Sequence, residues 1–210
     1  ATVPIAINLD HGRTYNDMIL GIRSGFTSIM VDRSSLPYEE NVEQTKEVVR
    51  MCHEIGISVE AELGHVGQGS NYDVDGISNL TVPEEAKKFI EETGVDCLAV
   101  AIGTAHGRYK GTPHIDFERL AKIVECCPDT PLVLHGGSGT GDENLQKAVH
   151  SGISKVNLAT ELVTAGKEAL EEFFKNPNFD KWELIPTFTR GYSEKLAHYV
   201  KLFGQDGKAW

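Results

Sequence analysis

The sequence predicts an α/β fold, a (β/α)8 TIM barrel, and three observations carry that expectation. Short apolar runs alternate with longer amphipathic stretches along all 210 residues. The runs show little polar alternation, as strands buried on both faces do. Nearly every run ends in a charged or glycine-rich loop: Asp10-His11-Gly12, Asp32-Arg33-Ser34, Glu62-Leu63-Gly64, and residues 103–107, 135–139 and 157–161. An open doubly wound sheet gathers its ligands at one switch point, whereas a barrel draws residues from many strand ends to one axis. Several contributing ends favour the barrel.

The elements follow in order. A strand over 4–9 (PIAINL) precedes a helix over 15–24, and a strand over 27–31 (TSIMV) precedes a helix over 38–55 set between Pro37 and Gly56. A strand over 57–62 (ISVEAE) leads to a helix over 82–93 that stops at Gly94. A strand over 96–102 (DCLAVAI) leads to a helix over 116–126, ended before Pro128. A strand over 131–134 (PLVL) leads to a helix over 142–151 that stops at Gly152. A strand over 154–158 (SKVNL) leads to a helix over 160–175, and 186–203 closes the chain. Strand–helix repetition in this order means a parallel sheet.

A barrel needs eight strands and typically about 250 residues, and six strands are counted here. Barrels often bind phosphate in the loops after strands seven and eight, and the two best phosphate loops follow the last two runs. The runs are therefore expected to be strands three to eight, with the first two βα units missing from this chain. Residues 1–210 are expected to form a single catalytic domain with C-terminal helices.

Asp and Glu number 31 against 20 Lys and Arg, for a net charge of −11. That balance disfavours nucleic acid and anionic membrane, both of which need a positive field. No apolar run approaches the length of a membrane span. The opening Ala1-Thr2-Val3-Pro4 does not read as a signal peptide. Cys52, Cys97, Cys126 and Cys127 show no CxxC spacing, which suits a reduced, cytoplasmic compartment.

Three of the eight histidines follow apolar runs: His11 in NLDHG, His106 in AIGTAHG and His135 in LVLHGG. In a closed barrel all three could face one axis and form an open tetrahedral zinc site, with cobalt, iron or nickel as competitors. Singly, each also fits a hydrogen-bonded residue at a strand end. His65 lies near Glu62 and is ambiguous, while His53, His114, His150 and His198 fall on helices or outer loops. Neighbours on a strand diverge, so Asp10 and His11 are not expected to hold one ion. Asp10 is then free for proton transfer, or it orients a His. Asp32 and Glu62 could serve a second metal position, bind ligand hydroxyls, or form an ion pair with Arg33. The loop HGGSG offers glycine N–H groups and the Ser138 hydroxyl to an anion, and VNLATE adds a helix start at Ala159 and Thr160.

Taken together, NLDHG, VEAELG, CLAVAIGTAHGRYKG, PLVLHGGSG and KVNLATEL resemble the class II, metal-dependent fructose-bisphosphate and tagatose-bisphosphate aldolases. SGFTSIMVD, LPYEEN and KLFGQDGKA extend the similarity over nearly the whole chain. The resemblance implies a (β/α)8 barrel, Zn²⁺ held by His11, His106 and His135, and Asp10 as the acid of condensation and base of cleavage. It implies Asp32 and Glu62 at an alternative or second metal position. Gly107, Gly136, Ser138, Asn157, Ala159 and Thr160 would hold the phosphate of dihydroxyacetone phosphate. Carbonyls of Ala105, Gly107 and Gly136 would bind sodium or potassium. Arg190, in FTRGYSEKL, would reach the second phosphate of a neighbouring subunit's substrate in a homodimer or homotetramer.

The chain departs from the family in two places. The glutamate eight residues after the ELG glutamate, which moves the proton at the ketose carbon, is Ser70 here, with Tyr72, Asp73 and Asp75 nearby as substitutes. The usual Ser-His before LPFEEN is Ser34-Ser35. Two other readings remain: a metal aldolase for another ketose phosphate, and a non-catalytic sugar-phosphate-binding accessory subunit.

Overall fold

A computed structural model describes residues 1–69, 79–107, 109, 111 and 113–209. In chain order the elements are β1 (Asn8–Gly12), α1 (Tyr15–Arg23), β2 (Ser28–Val31), α2 (Tyr38–His53), β3 (Ser58–Leu63), β4 (Gly67–Gln68), α3 (Pro83–Thr93) and β5 (Cys97–Val100). They continue with β6 (Ala105–His106), α4 (Phe117–Cys126), β7 (Leu132–Leu134), α5 (Asp142–His150), β8 (Ile153–Val156), α6 (Thr160–Phe173) and α7 (Leu184–Leu202). Six strands, in the order β1-β2-β3-β5-β7-β8, form one curled parallel sheet, a half-barrel consistent with a partial TIM-barrel-like fold.

Strand periodicity divides the core. Ile29, Val31, Val59, Ala61, Leu98, Val100, Leu132 and Leu134 face outward, against Met18, Val48, Phe89, Leu120, Ile123 and Leu145 of the helices. The residues between them, Met30, Ala99 and Val133, meet on the inner face with Cys97. Both faces are buried, so the strands read as continuous apolar runs. Each fully buried side chain of this size contributes about 1.5–3 kcal/mol.

Local signals set the helix starts. The Thr14 hydroxyl accepts from Asp17 N at 3.1 Å while the Asp17 carboxylate accepts from Thr14 N at 3.0 Å, closing a capping box on α1. Pro83 opens α3 where its missing N–H costs nothing. The Asp116 carboxylate caps α4 through Arg119 N.

Three features differ from expectation. The first strand begins at Asn8, not residue 4. β2 starts only at Ser28, so Ile7 O, which accepts from Thr27 N and Ser28 N, is where β1 first finds a neighbour. α7 begins two residues before Pro186, which falls within the first turn, where a helix has no N–H partner to lose. A second sheet pairs β4 with β6, Gly67 with Ala105 and Gln68 with His106. No helix among the described residues is long and apolar enough to cross a membrane.

Candidate active site

The site starts at an irregularity in β1. Leu9 pairs with Ile29 but Gly12 pairs with Val31, so β1 carries one extra residue. His11 absorbs it with φ 52°, in the left-handed region. The turn brings the two neighbours together: Asp10 Oδ1 lies 3.9 Å from His11 Nε2. The expectation that they diverge holds for a regular strand and fails at this bulge. Gly12 is required beside it, because a Cβ there would lie 2.6 Å from Met30 O. Arg33, buried, fastens the bend. Its Nη1 donates to Gly12 O at 3.2 Å, Arg13 O at 2.8 Å and Asp32 O at 2.9 Å, and its Nε donates to Gln44 at 2.6 Å. Arg33 thus binds carbonyls, not the Asp32 carboxylate.

Four side chains from separate strand ends converge. One donor atom from each of His11, Glu62, His106 and His135 lies within 4.8 Å of the others. Ring centroids are 4.7 Å apart for His11–His106, 4.8 Å for His11–His135 and 5.5 Å for His106–His135. His11 Nδ1 lies 2.8 Å from Asp32 Oδ2, and His135 Nε2 lies 2.8 Å from Glu60 Oε1. An ionised carboxylate only accepts, so those two nitrogens carry the hydrogens. In the neutral rings the remaining nitrogens, His11 Nε2 and His135 Nδ1, are acceptors that face each other at 3.1 Å, with the Asn157 amide nitrogen 3.3 Å from His135 Nδ1. His106 Nε2 and Glu62 Oε2 are buried without a hydrogen-bond partner. Acceptors gathered this closely fit a divalent cation.

The electrostatics follow the same pattern. Burial and the neighbouring His11 and His135 push His106 down to about 4. The hydrogen bond to Asp32 raises His11 against the effect of burial. Burial acts to raise Asp32, but hydrogen bonds from His11 and Ser34 outweigh it and hold the carboxyl well below its usual range. Burial and the nearby Asp32 raise Glu62.

The cluster opens into a cavity of about 340 Å³ lined by Asp10, His106, Gly107, Gly136, Ser138, Lys155, Asn157, Ala159 and Thr160. Ser138 Oγ accepts from Ala159 N at 3.2 Å and Glu161 N at 3.5 Å, which draws the HGGSG turn onto the start of α6. The N-cap residue Ala159 supplies no side-chain cap of its own, so among the described residues the start of α6 is held by Ser138 alone. A helix start beside a glycine turn is suited to an anion. Gly136 has φ 67°, and a Cβ there would lie 2.2 Å from Ala105 O.

The fructose-bisphosphate aldolase class-II family model matches residues 1–208. This chain belongs to the class II fructose-bisphosphate aldolase family. A curated fructose-bisphosphate aldolase of Geobacillus stearothermophilus is 42% identical over 211 residues, which cover 99% of this chain and 73% of that protein. The crystal structure of the YdjI aldolase of Escherichia coli K12 matches with TM-score 0.86 at 37% identity, over 100% of this chain and 73% of that one. The fructose-bisphosphate aldolase structure of Campylobacter jejuni, at 22% identity and TM-score 0.79 over 95% of this chain and 70% of that one, shares the fold. Membership and the named relative support aldolase activity, a lyase reaction of carbohydrate metabolism on a sugar phosphate. The family is generally metal-dependent.

With the family in view, the expected residues divide. His11, His106, His135 and Glu62 meet in one cluster. Asp32 stands outside it, bound to His11 and, through Oδ1, to the Ser34 hydroxyl at 2.8 Å. Asn157, expected at the phosphate, lines the cavity and donates to Asp10 Oδ1 at 3.1 Å. Gly136 O, expected on a monovalent cation, accepts from Tyr109 OH at 2.8 Å and Thr140 Oγ1 at 3.2 Å. Arg190 is exposed on α7 and is not among the cavity's lining residues. Ser70, Tyr72, Asp73 and Asp75 lie outside the described residues. His65 Nδ1 lies 2.9 Å from Ser34 Oγ. His53, His114, His150 and His198 are exposed. Glu60 and Lys155 were not foreseen. The signal was present in VEAE, because residues two apart on a strand share a face, so Glu60 accompanies Glu62.

Proposed function

We propose that this chain is a zinc-dependent aldolase that reversibly cleaves fructose- or tagatose-1,6-bisphosphate to dihydroxyacetone phosphate and glyceraldehyde 3-phosphate. We read its sheet as strands three to eight of a (β/α)8 barrel and residues 1–210 as one catalytic domain. The carrying observation is that three imidazoles cluster at the floor of a cavity that His106 lines together with the Asp10 carboxylate and an anion cradle.

His11, through Nε2, His135, through Nδ1, and His106 would hold the metal, with Glu62 as an alternative ligand. The ion supplies Lewis-acid stabilisation of the negative charge that C3–C4 cleavage leaves on the ketose fragment. Asp10, outside the ligand set and open to the cavity, takes the proton from the C4 hydroxyl in cleavage. It returns that proton to the aldehyde oxygen in condensation. The Asn157 amide holds the Asp10 carboxylate toward the substrate. The Ser138 hydroxyl hydrogen and the backbone N–H of Thr160 bind the phosphate of dihydroxyacetone phosphate, with Ala159 N–H holding the Ser138 oxygen in place, and so fix the ketose relative to Asp10. The relative named fructose-bisphosphate aldolase supports this substrate. Ser70, at the position expected for the proton-moving glutamate, keeps a second reading alive, a metal aldolase for another ketose phosphate.

The test is metal analysis combined with an assay of dihydroxyacetone phosphate release from a panel of ketose phosphates. Stoichiometric zinc, loss of activity on chelation and recovery with Zn²⁺ are expected. Activity that survives complete metal removal overturns the proposal, and release only from other ketose phosphates replaces the substrate.

A further inference from the structure

Behind the imidazole cluster, an ion pair crosses the barrel interior. Glu60, on β3, is 1% exposed, and its two oxygens have separate partners. Oε1 faces His135 Nε2 at 2.8 Å, and Oε2 accepts from Lys155 Nζ at 2.7 Å. β3 and β8 are not neighbours, since β5 and β7 stand between them. Lys155 therefore spans the interior instead of following the wall.

A neutral imidazole has two nitrogens, and a change of tautomer exchanges which of them carries the hydrogen. Asn157 does not discriminate, because its amide nitrogen lies 3.3 Å from His135 Nδ1 and 3.4 Å from Nε2. Glu60 does, because a carboxylate accepts from only the protonated nitrogen. We propose that the Lys155–Glu60 pair is a positioning device that selects the His135 nitrogen offered to the metal. This rests on the metal-binding reading above. Glu60 claims Nε2–H and leaves Nδ1 bare toward His11. Lys155 holds the far oxygen, so the carboxylate is pinned at both ends and cannot turn away from the ring. A buried carboxylate lacking such a cation is strongly unfavourable. Lys155 thereby acts on the metal site without touching it.

The experiment compares wild type, Glu60→Gln, Lys155→Met and Lys155→Arg by chelator-competition affinity for Zn²⁺ and by the visible spectrum with Co²⁺, after circular dichroism has shown each to be folded. A Gln amide can face the ring with either end, so Glu60→Gln should weaken Zn²⁺ binding by about 10–100-fold and alter the Co²⁺ bands. Lys155→Met should move both readouts in the same direction, and Lys155→Arg should return them close to wild type. Folded Glu60→Gln and Lys155→Met proteins with wild-type affinity and spectrum overturn the inference. If Glu60→Gln does not fold, the Lys155→Met and Lys155→Arg pair decides, and equal behaviour of those two overturns it. A wild-type chain that binds neither ion overturns the metal reading itself, a result distinct from all of these.

Discussion

Asp10 and His11 are consecutive in the chain, yet Asp10 Oδ1 lies 3.9 Å from His11 Nε2, on one side of β1. One extra residue and a left-handed φ at His11 bring this about. The arrangement separates the two roles by a single step along the chain: His11 belongs to the donor cluster and Asp10 does not. Asp10→Ala should therefore lower turnover by roughly 10²–10⁴-fold with zinc content unchanged. Zinc quantitation beside steady-state rates checks this, and near-normal turnover would remove Asp10 from the reaction.

Gly136 tests the anion turn. Its φ of 67° and the 2.2 Å approach of a Cβ to Ala105 O leave no room for a side chain. Gly136→Ala should cost about 2 kcal/mol or more in urea unfolding. Gly67→Ala, where a Cβ meets nothing within 4 Å, is the control and should be nearly neutral. Equal stabilities of the two variants contradict the geometry.

Arg33 carries a different load. Its Nη1 donates to three carbonyl oxygens, of which Gly12 O also accepts from Asp32 N at 3.3 Å, and Arg33 is 6% exposed. Arg33→Met removes these donors from part-buried acceptors and should cost about 1–3 kcal/mol. Because those carbonyls flank His11 and Asp32, zinc affinity should fall as well. A destabilised variant with unchanged zinc affinity would limit Arg33 to folding alone.

The metal-free protein should respond to acid through His106. Its pKa is pushed down to about 4 from an ordinary 6.5, so the folded chain favours the neutral ring. That contribution is complete above 6.5 and is lost as pH falls toward 4. His11 works in the opposite sense: raised by Asp32, it stabilises below 6.5, and the effect fades as pH rises through its folded value. Urea unfolding of the metal-free wild type and His106→Gln isolates the first effect. The wild-type advantage should shrink steadily between neutral pH and pH 4, and a pH-independent difference would mean that His106 is not buried as described.

Much of this was legible in the sequence, for identifiable reasons. Buried parallel strands are apolar on both faces, so SIMV, CLAV and LVL stood out, and the histidines that follow such runs stood out with them. The boundary at residue 4 was misjudged because PIAI is as apolar as a strand but lacks a partner before Thr27. The β4–β6 pair has two residues per strand, too few for any periodicity. The bulge at His11 exists only as an offset against Ile29 and Val31, which no single strand reveals. Glu60 was overlooked because a carboxylate deep inside a barrel makes sense only once Lys155, 95 residues away, is seen to reach it.

The β4–β6 pair has one more implication. His11 lies on β1 and His135 follows β7, both strands of the six-stranded sheet, whereas His106 ends a two-residue strand fastened to β4. Transient opening is cheapest where backbone ties are fewest. Of the backbone segments that carry the three rings, the β4–β6 pair should therefore exchange its amide hydrogens soonest.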